Sequence, residues 1–291
     1  MTEISLAGVR TRVPPLLINI TSASSATWIT PTTLPLIVQW IDDAAQSVTT
    51  YYRRFPVPQA RVSVAVVDGR GAQSGTTGGA SVPTINMSVG RATLVRDLQG
   101  DWMMTHEMVH LAFPRVPAAH HWIEEGLATY VEPIARAQAG KLTSERVWHD
   151  LVKGLPHGLP RVGDRGLDYA KTWGRVYWGG ALYCLLADIE IRRRTGNRFG
   201  LQDALQGVLA AGGNIEAVWS LRRALRTADD AVGVPVMTEL YERMGNAAVE
   251  VDLDTLWQEL GVSVIDGVVQ FDEAAPLAPI RRAITSPPVT A

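Results

Sequence analysis

A chain of 291 residues with 46% hydrophobic and 19% charged side chains is long enough and apolar enough to bury a sizeable core, which excludes a disordered tail. Twenty-seven basic against 29 acidic side chains give a net charge of -2, without the basic surplus of a nucleic-acid binder. No stretch approaches the roughly 18 uninterrupted apolar residues of a membrane-spanning helix, and one cysteine, Cys184, excludes an internal disulfide framework and any multi-cysteine zinc site.

The N-terminus, Met1-Thr2-Glu3, lacks a basic start, and the apolar stretch from Val13 to Ile20 is short and broken by prolines. No signal peptide is expected, hence a cytoplasmic protein, although a secreted chain written without its leader reads the same. Leu16 to Thr21 is a candidate strand, and Pro35 to Arg54 carries Ile37, Ile41, Ala44, Ala45 and Val48 at helical spacing. Arg61 to Val67 is β-branched and bounded by Pro58 and Asp68-Gly69, a strand signal. A glycine-rich stretch, Gly69 to Gly79, leads to Pro83–Val89, which alternates as a half-buried strand; its leading proline predicts an edge.

Beyond Leu98 the pattern is helical. One helix runs to Ala112 and stops at Phe113-Pro114; a second spans His121 to Ala139, with Pro133 predicted to kink or divide it. A Gly/Pro-rich loop, Gly154 to Gly166, precedes a long helix from about Tyr169 to Thr195. Shorter helices are predicted over Leu201–Ala211, Ile215–Arg226, Pro235–Met244 and Leu253–Leu260, and a loose Pro/Ala-rich tail from Ala274. Strands early and helices late predict an α+β fold.

The chemistry-bearing motif is His106-Glu107-Met108-Val109-His110. Two histidines four apart project from one helical face and can share a zinc ion, while Glu107 on the adjacent face can take a proton from a water activated by that ion. Such a site needs one more protein ligand. Trp122-Ile123-Glu124-Glu125-Gly126-Leu127-Ala128-Thr129-Tyr130 supplies a carboxylate near a helix start, with Gly126 and Ala128 small enough to let that helix pack closely on the metal helix. His120 and His121 read as loop or helix-start residues, with ligation as the alternative. His157 reads as a solvated loop residue that can border the cleft. Cys184 reads as core, and Arg192 to Arg194 as a solvated helix end. Asn86-Met87-Ser88 matches a glycosylation sequon and reads better as part of an edge strand along which a peptide can lie.

H-E-x-x-H followed by W-x-x-E-G-x-A-x-Y resembles the gluzincin metallopeptidases of the thermolysin-like clan. Tyr177-Trp178-Gly179-Gly180-Ala181-Leu182, Leu185 to Arg192 and Leu201 to Leu205 are similar to successive segments of the glycyl aminopeptidase family. The resemblance covers roughly residues 80 to 210. It implies a two-lobed thermolysin-like fold, with a mixed-sheet lobe (1–95), a helical catalytic lobe (96–273), a tail (274–291) and the zinc site between the lobes. It further implies one zinc per chain on His106, His110 and Glu125, Glu107 as general base, Tyr177 stabilising the tetrahedral intermediate, and a peptide or protein substrate. Three departures stand out. The spacer between His110 and Glu125, residues 111–124, is shorter than in alanyl aminopeptidases. Gly179 replaces the family lysine, and Gly78-Gly79-Ala80-Ser81 stands where a G-x-M-E-N motif would grip a free amine. Two other readings share these motifs: a catalytically inactive gluzincin-like peptide-binding protein, and a zinc hydrolase of a non-peptide amide. The sequence sets no oligomeric state.

Overall fold

The computed structural model describes residues 2–5, 16–22, 33–79 and 82–287. Five strands form one mixed sheet: β1 (Thr2–Ser5), β2 (Leu16–Ser22), β3 (Ala60–Val67), β4 (Ala72–Gly78) and β5 (Thr84–Gly90), in the order β1-β2-β3-β5-β4. β2, β3 and β5 run parallel, while β1 and β4 are antiparallel to their neighbours. Val62, Val64 and Val66 of β3 and Ile85, Met87 and Val89 of β5 are buried at every second position, the alternation expected of a sheet with one face on the core. Gly90 is obligatory: a Cβ there would sit 2.1 Å from the carbonyl carbon of Gly69.

β5 is therefore interior and β4 takes the end of the sheet, the reverse of what Pro83 suggested. The glycine-rich stretch is itself a strand. Its Gly, Ser and Thr side chains bury little, so its sequence carries no apolar alternation.

Helix α1 (Thr33–Tyr52) packs on α3 (Met103–Val109) and α4 (His121–Gln138), with a short α2 (Val95–Gln99) between β5 and α3. Pro133 lies inside α4 without dividing it, because Val131, Ile134 and Ala135 are fully buried and hold the helix on both sides of the missing N–H. The remaining helices are α5 (Ser144–Gly154), α6 (Trp173–Arg194), α7 (Leu201–Ala210), α8 (Leu221–Val232), α9 (Val236–Met244), α10 (Leu253–Leu260) and α11 (Ala278–Thr285). α8 begins six residues later than its predicted start at Ile215. The amides of Ile215 and Trp219 bond instead to the carbonyls of Leu111 and Arg115, and Ser220 caps the helix.

Two expectations at the C-terminal end are corrected. A hairpin, β6 (Val262–Ile265) and β7 (Val268–Phe271), follows α10. Its turn places Asp266 and Gly267 at φ 51° and 79°, as a two-residue hairpin loop requires. Up to residue 287 the stretch after Ala274 is no loose tail: α11 buries Ile280, Ile284 and Arg281, and the Arg281 guanidinium binds the carbonyls of Leu260, Gly261 and Asp272; residues 288–291 lie outside the described residues. Arg192 likewise leaves the solvated helix end. It is buried against Asp188 at 2.7 Å, beside the Tyr130 hydroxyl that donates to the same carboxylate at 3.0 Å.

Candidate metal centre

α3 sets the two imidazoles on one face, and its last turn tightens into a 3₁₀ segment at His110–Ala112. Glu125 enters from the second turn of α4. Its Oε2 lies 3.2 Å from His106 Nε2 and 3.6 Å from His110 Nε2. Two atoms each about 2.0–2.1 Å from one tetrahedral ion are about 3.3–3.4 Å apart, so the three converge as ligands of a single ion would. Among the described residues this His106–His110–Glu125 group is the one His, Cys and carboxylate cluster that can hold a metal. His106 and Glu125 are buried, and His110 is nearly so. Burial holds the His106 pKa below its ordinary value. For His110 burial is again the strongest influence, but contact with Glu125 and the charges of Glu125 and Glu107 outweigh it and raise the pKa.

The position of α4 has a specific cause, and not the one the sequence suggested. Gly126 faces α6 and not α3: a Cβ on Gly126 would lie 2.4 Å from Gly180 Cα, and one on Gly180 would lie 2.2 Å from the Trp122 carbonyl oxygen. The two helices meet backbone to backbone, which brings Tyr177 of α6 beside the cluster. Its ring stacks on His106 with centroids 5.9 Å apart and planes 9° apart. Burial, then the charge and hydrogen bonding of Glu125, push the Tyr177 phenol well above its ordinary pKa, so it stays protonated. The start of α4 is pinned by Asp168, whose carboxylate takes bonds at 2.8 Å from Trp122 Nε1, His120 Nδ1 and the Tyr241 hydroxyl. His120 is thus committed away from the cluster.

His121 is not. Its Nε2 lies 3.2 Å from Glu125 Oε1, the oxygen turned away from the two histidines, and its Nδ1 lies 3.2 Å from Glu124 Oε2. These two bonds push the His121 pKa up to about 10, so both ring nitrogens donate. Histidine four residues before a helical glutamate is a spacing that aims one at the other, so the pair is visible in the sequence itself.

Glu107 points toward β4. Thr77 Oγ1 lies 2.7 Å from Glu107 Oε2 and 2.8 Å from the Glu107 carbonyl oxygen. A Cβ on Gly75 would lie 2.8 Å from Glu107 Cγ and 2.9 Å from Oε1, so the glycine makes the space the carboxylate uses. Neither Thr77 nor Gly75 was singled out by sequence, because β4 lacked a strand signal. Glu107, His110, Glu125 and Tyr177 line a hollow of about 370 Å³ bounded by β4 and Arg115. Tyr177 also borders a second hollow of about 470 Å³, together with His106 and His157. His157 is both exposed and at a cleft. Of the segment that departs from the G-x-M-E-N pattern, Gly78 ends β4, and Ala80 and Ser81 lie outside the described residues.

No protein-family model matches the sequence, and no curated protein matches it. Solved structures do. The chain is similar to an aminopeptidase N family protein from Idiomarina loihiensis, with a TM-score of 0.58 and 12% identity over 91% of this chain and 50% of that one. It is similar to an M1 zinc metallopeptidase from Deinococcus radiodurans, with a TM-score of 0.52 and 13% identity over 86% of this chain and 52% of that one. A mutant of the latter bound to a Tyr-Ser-Ala substrate gives 0.53 and 13% over 87% and 53%. The likeness is one of fold, and the chain spans about half the length of the structures it matches. Among the described residues no helix is long and apolar enough to cross a membrane.

Proposed function

We propose that this chain is a zinc-dependent metallopeptidase in which His106, His110 and Glu125 hold one zinc ion and Glu107 is the general base. The observation that carries the reading is the meeting of both imidazoles at one Glu125 oxygen, 3.2 and 3.6 Å away, while Glu107 on the same helix faces β4 instead. The donor set suits the ion: two imidazoles and one carboxylate leave a fourth position for the reacting molecule, whereas a purely structural site closes it. Zinc held there supplies Lewis-acid polarisation of the scissile carbonyl and lowers the pKa of a water toward about 7.

The chain's own groups do the rest. Glu107 accepts the proton that water loses on attacking the carbonyl carbon and returns it to the leaving amine. Thr77 fixes one of its oxygens, and the room at Gly75 keeps the other clear. Tyr177, held protonated, donates to the carbonyl oxygen as it gains charge, so its bond strengthens in the transition state. β4, at the end of the sheet, offers an extended peptide a strand to lie along. In this reading the sheet-rich part (1–95) and the helical part (96–273) form two lobes around the centre, and the substrate is a peptide or protein taken without a G-x-M-E-N grip on a free amine.

Hydrolysis of a peptide library by the zinc-loaded protein, abolished by a chelator and restored by zinc, is the expected result. Hydrolysis indifferent to chelation, or none with zinc bound, overturns the proposal. Tyr177→Phe is expected to cost about two orders of magnitude in turnover with KM, zinc content and melting temperature unchanged. A loss of stability with turnover intact would make Tyr177 a core residue only.

A further inference from the structure

The second hollow, about 470 Å³, is large enough for a substrate side chain, and one part of its wall is aromatic. Trp102, Tyr177, Trp173 and Trp178 border it. Trp102 and Trp173 are the two tryptophans among the exposed large apolar side chains of the described residues, at 48% and 61%, and both stand at this hollow. Indoles left in water at one cleft mark a binding surface more often than a packing accident.

The rings form a row that runs through the metal cluster. Trp102 meets His106 edge-on at 5.3 Å, Tyr177 lies parallel to His106 at 5.9 Å, and Trp173 stacks on Tyr177 at 5.8 Å. His106 itself borders the hollow, so a ring seated there lies near the residues that would hold the ion.

Charge at the hollow is largely neutralised. Four cations border it, and three have an acid: Arg136 with the buried Glu132 at 2.8 Å, Lys141 with Asp43 at 2.6 Å, and Arg146 with Asp150 at 2.7 Å; the exposed Lys153 is the fourth. An acidic substrate side chain would have to pair with that solvated lysine or displace one of these partners. An aromatic one would need only to shed water.

We propose that this hollow is a specificity pocket for an aromatic side chain of the substrate peptide, with Trp173 and Trp102 as its recognition surfaces. The proposal rests on the peptidase reading, so its test measures binding apart from turnover. In the zinc-loaded Glu107→Gln variant, dissociation constants are measured for tetra-alanine and for four peptides in which one tryptophan is moved through its positions, with glutamate as the charged control. One tryptophan position is expected to tighten binding at least about tenfold, with no gain from glutamate there. Adding Trp173→Ala should remove most of the gain, and Trp173→Phe should keep it. No preferred tryptophan position, or a preference that survives both Trp102→Ala and Trp173→Ala, overturns the pocket. If the parent hydrolyses no peptide while the ring preference and its loss in Trp173→Ala persist, the pocket stands and the peptidase reading falls. If it hydrolyses peptides without ring preference, the reverse holds.

Discussion

The candidate metal centre has two walls built on opposite terms. On the α4/α6 side the contact is main chain against main chain, where Gly126 and Gly180 leave no room for even one methyl group. On the β4 side the contact is a single Thr77 hydroxyl on Glu107 and the gap at Gly75. Backbone atoms cannot rotate out of the way, so the first wall is rigid and sets where Glu125 and Tyr177 stand. The second holds a carboxylate by one hydrogen bond and a vacancy. It positions Glu107 without fixing the fold. Damage to the first wall should therefore reach stability and metal together, and damage to the second should reach turnover alone.

Gly180→Ala is the most severe way to break that contrast. Its methyl would lie 2.2 Å from the Trp122 carbonyl oxygen, and forcing the helices apart is expected to cost about 3 kcal/mol or more. For a chain of this size that is a fall of roughly 10 °C in melting temperature, with zinc content falling alongside. Unchanged melting and zinc content would show that the helix contact does not set the cluster.

Glu107→Gln acts on the other wall and should lower turnover about 10²- to 10⁴-fold, with zinc content and melting temperature at parent values. Turnover at the parent rate refutes Glu107 as base. Gly75→Ala is subtler. A methyl 2.8 Å from Glu107 Cγ displaces the carboxylate without touching the metal group, and a misplacement of that kind costs about 10²-fold in turnover. If zinc affinity fell with it, the two walls would not be separable.

The smallest expected effect concerns His121, which takes no part in the α4/α6 backbone contact and touches the free oxygen of Glu125. His121→Ala should weaken zinc binding by about tenfold in a chelator competition, with little change in melting of the metal-free protein. Parent-level affinity would mean that the Gly126–Gly180 contact alone orients Glu125.

The same contrast explains what could be read in advance. The rigid side was legible because its signals are local: two histidines a turn apart, a glutamate followed by glycine, a long apolar helix. Even there the partner of Gly126 was misassigned to α3, since sequence shows that a helix needs a small residue and not which neighbour needs it. The β4 side was illegible because Ala72–Gly78 has no apolar alternation, and its function is carried by a hydroxyl and a missing side chain. The C-terminal corrections differ in kind. Asp266-Gly267 between β-branched residues is a two-residue hairpin signal carried by the sequence itself. The Pro/Ala content of 274–287 hid a helix whose anchor, Arg281, looks solvated until its carbonyl partners are known.

The composition of β4 also bears on how the protein behaves at high concentration. An exposed strand end is a template for copies of the chain to stack on one another, and long flat apolar edges do so irreversibly. Here the strand carries glycine, serine, threonine and glutamine after Ala72, with a register shift between Ala72 and Ser74 that breaks the ladder near its start. A second strand laid there gains main-chain hydrogen bonds and almost no dry side-chain interlock. Pairing on this edge is consequently expected to be weak and reversible, which disfavours fibre growth from this end of the sheet.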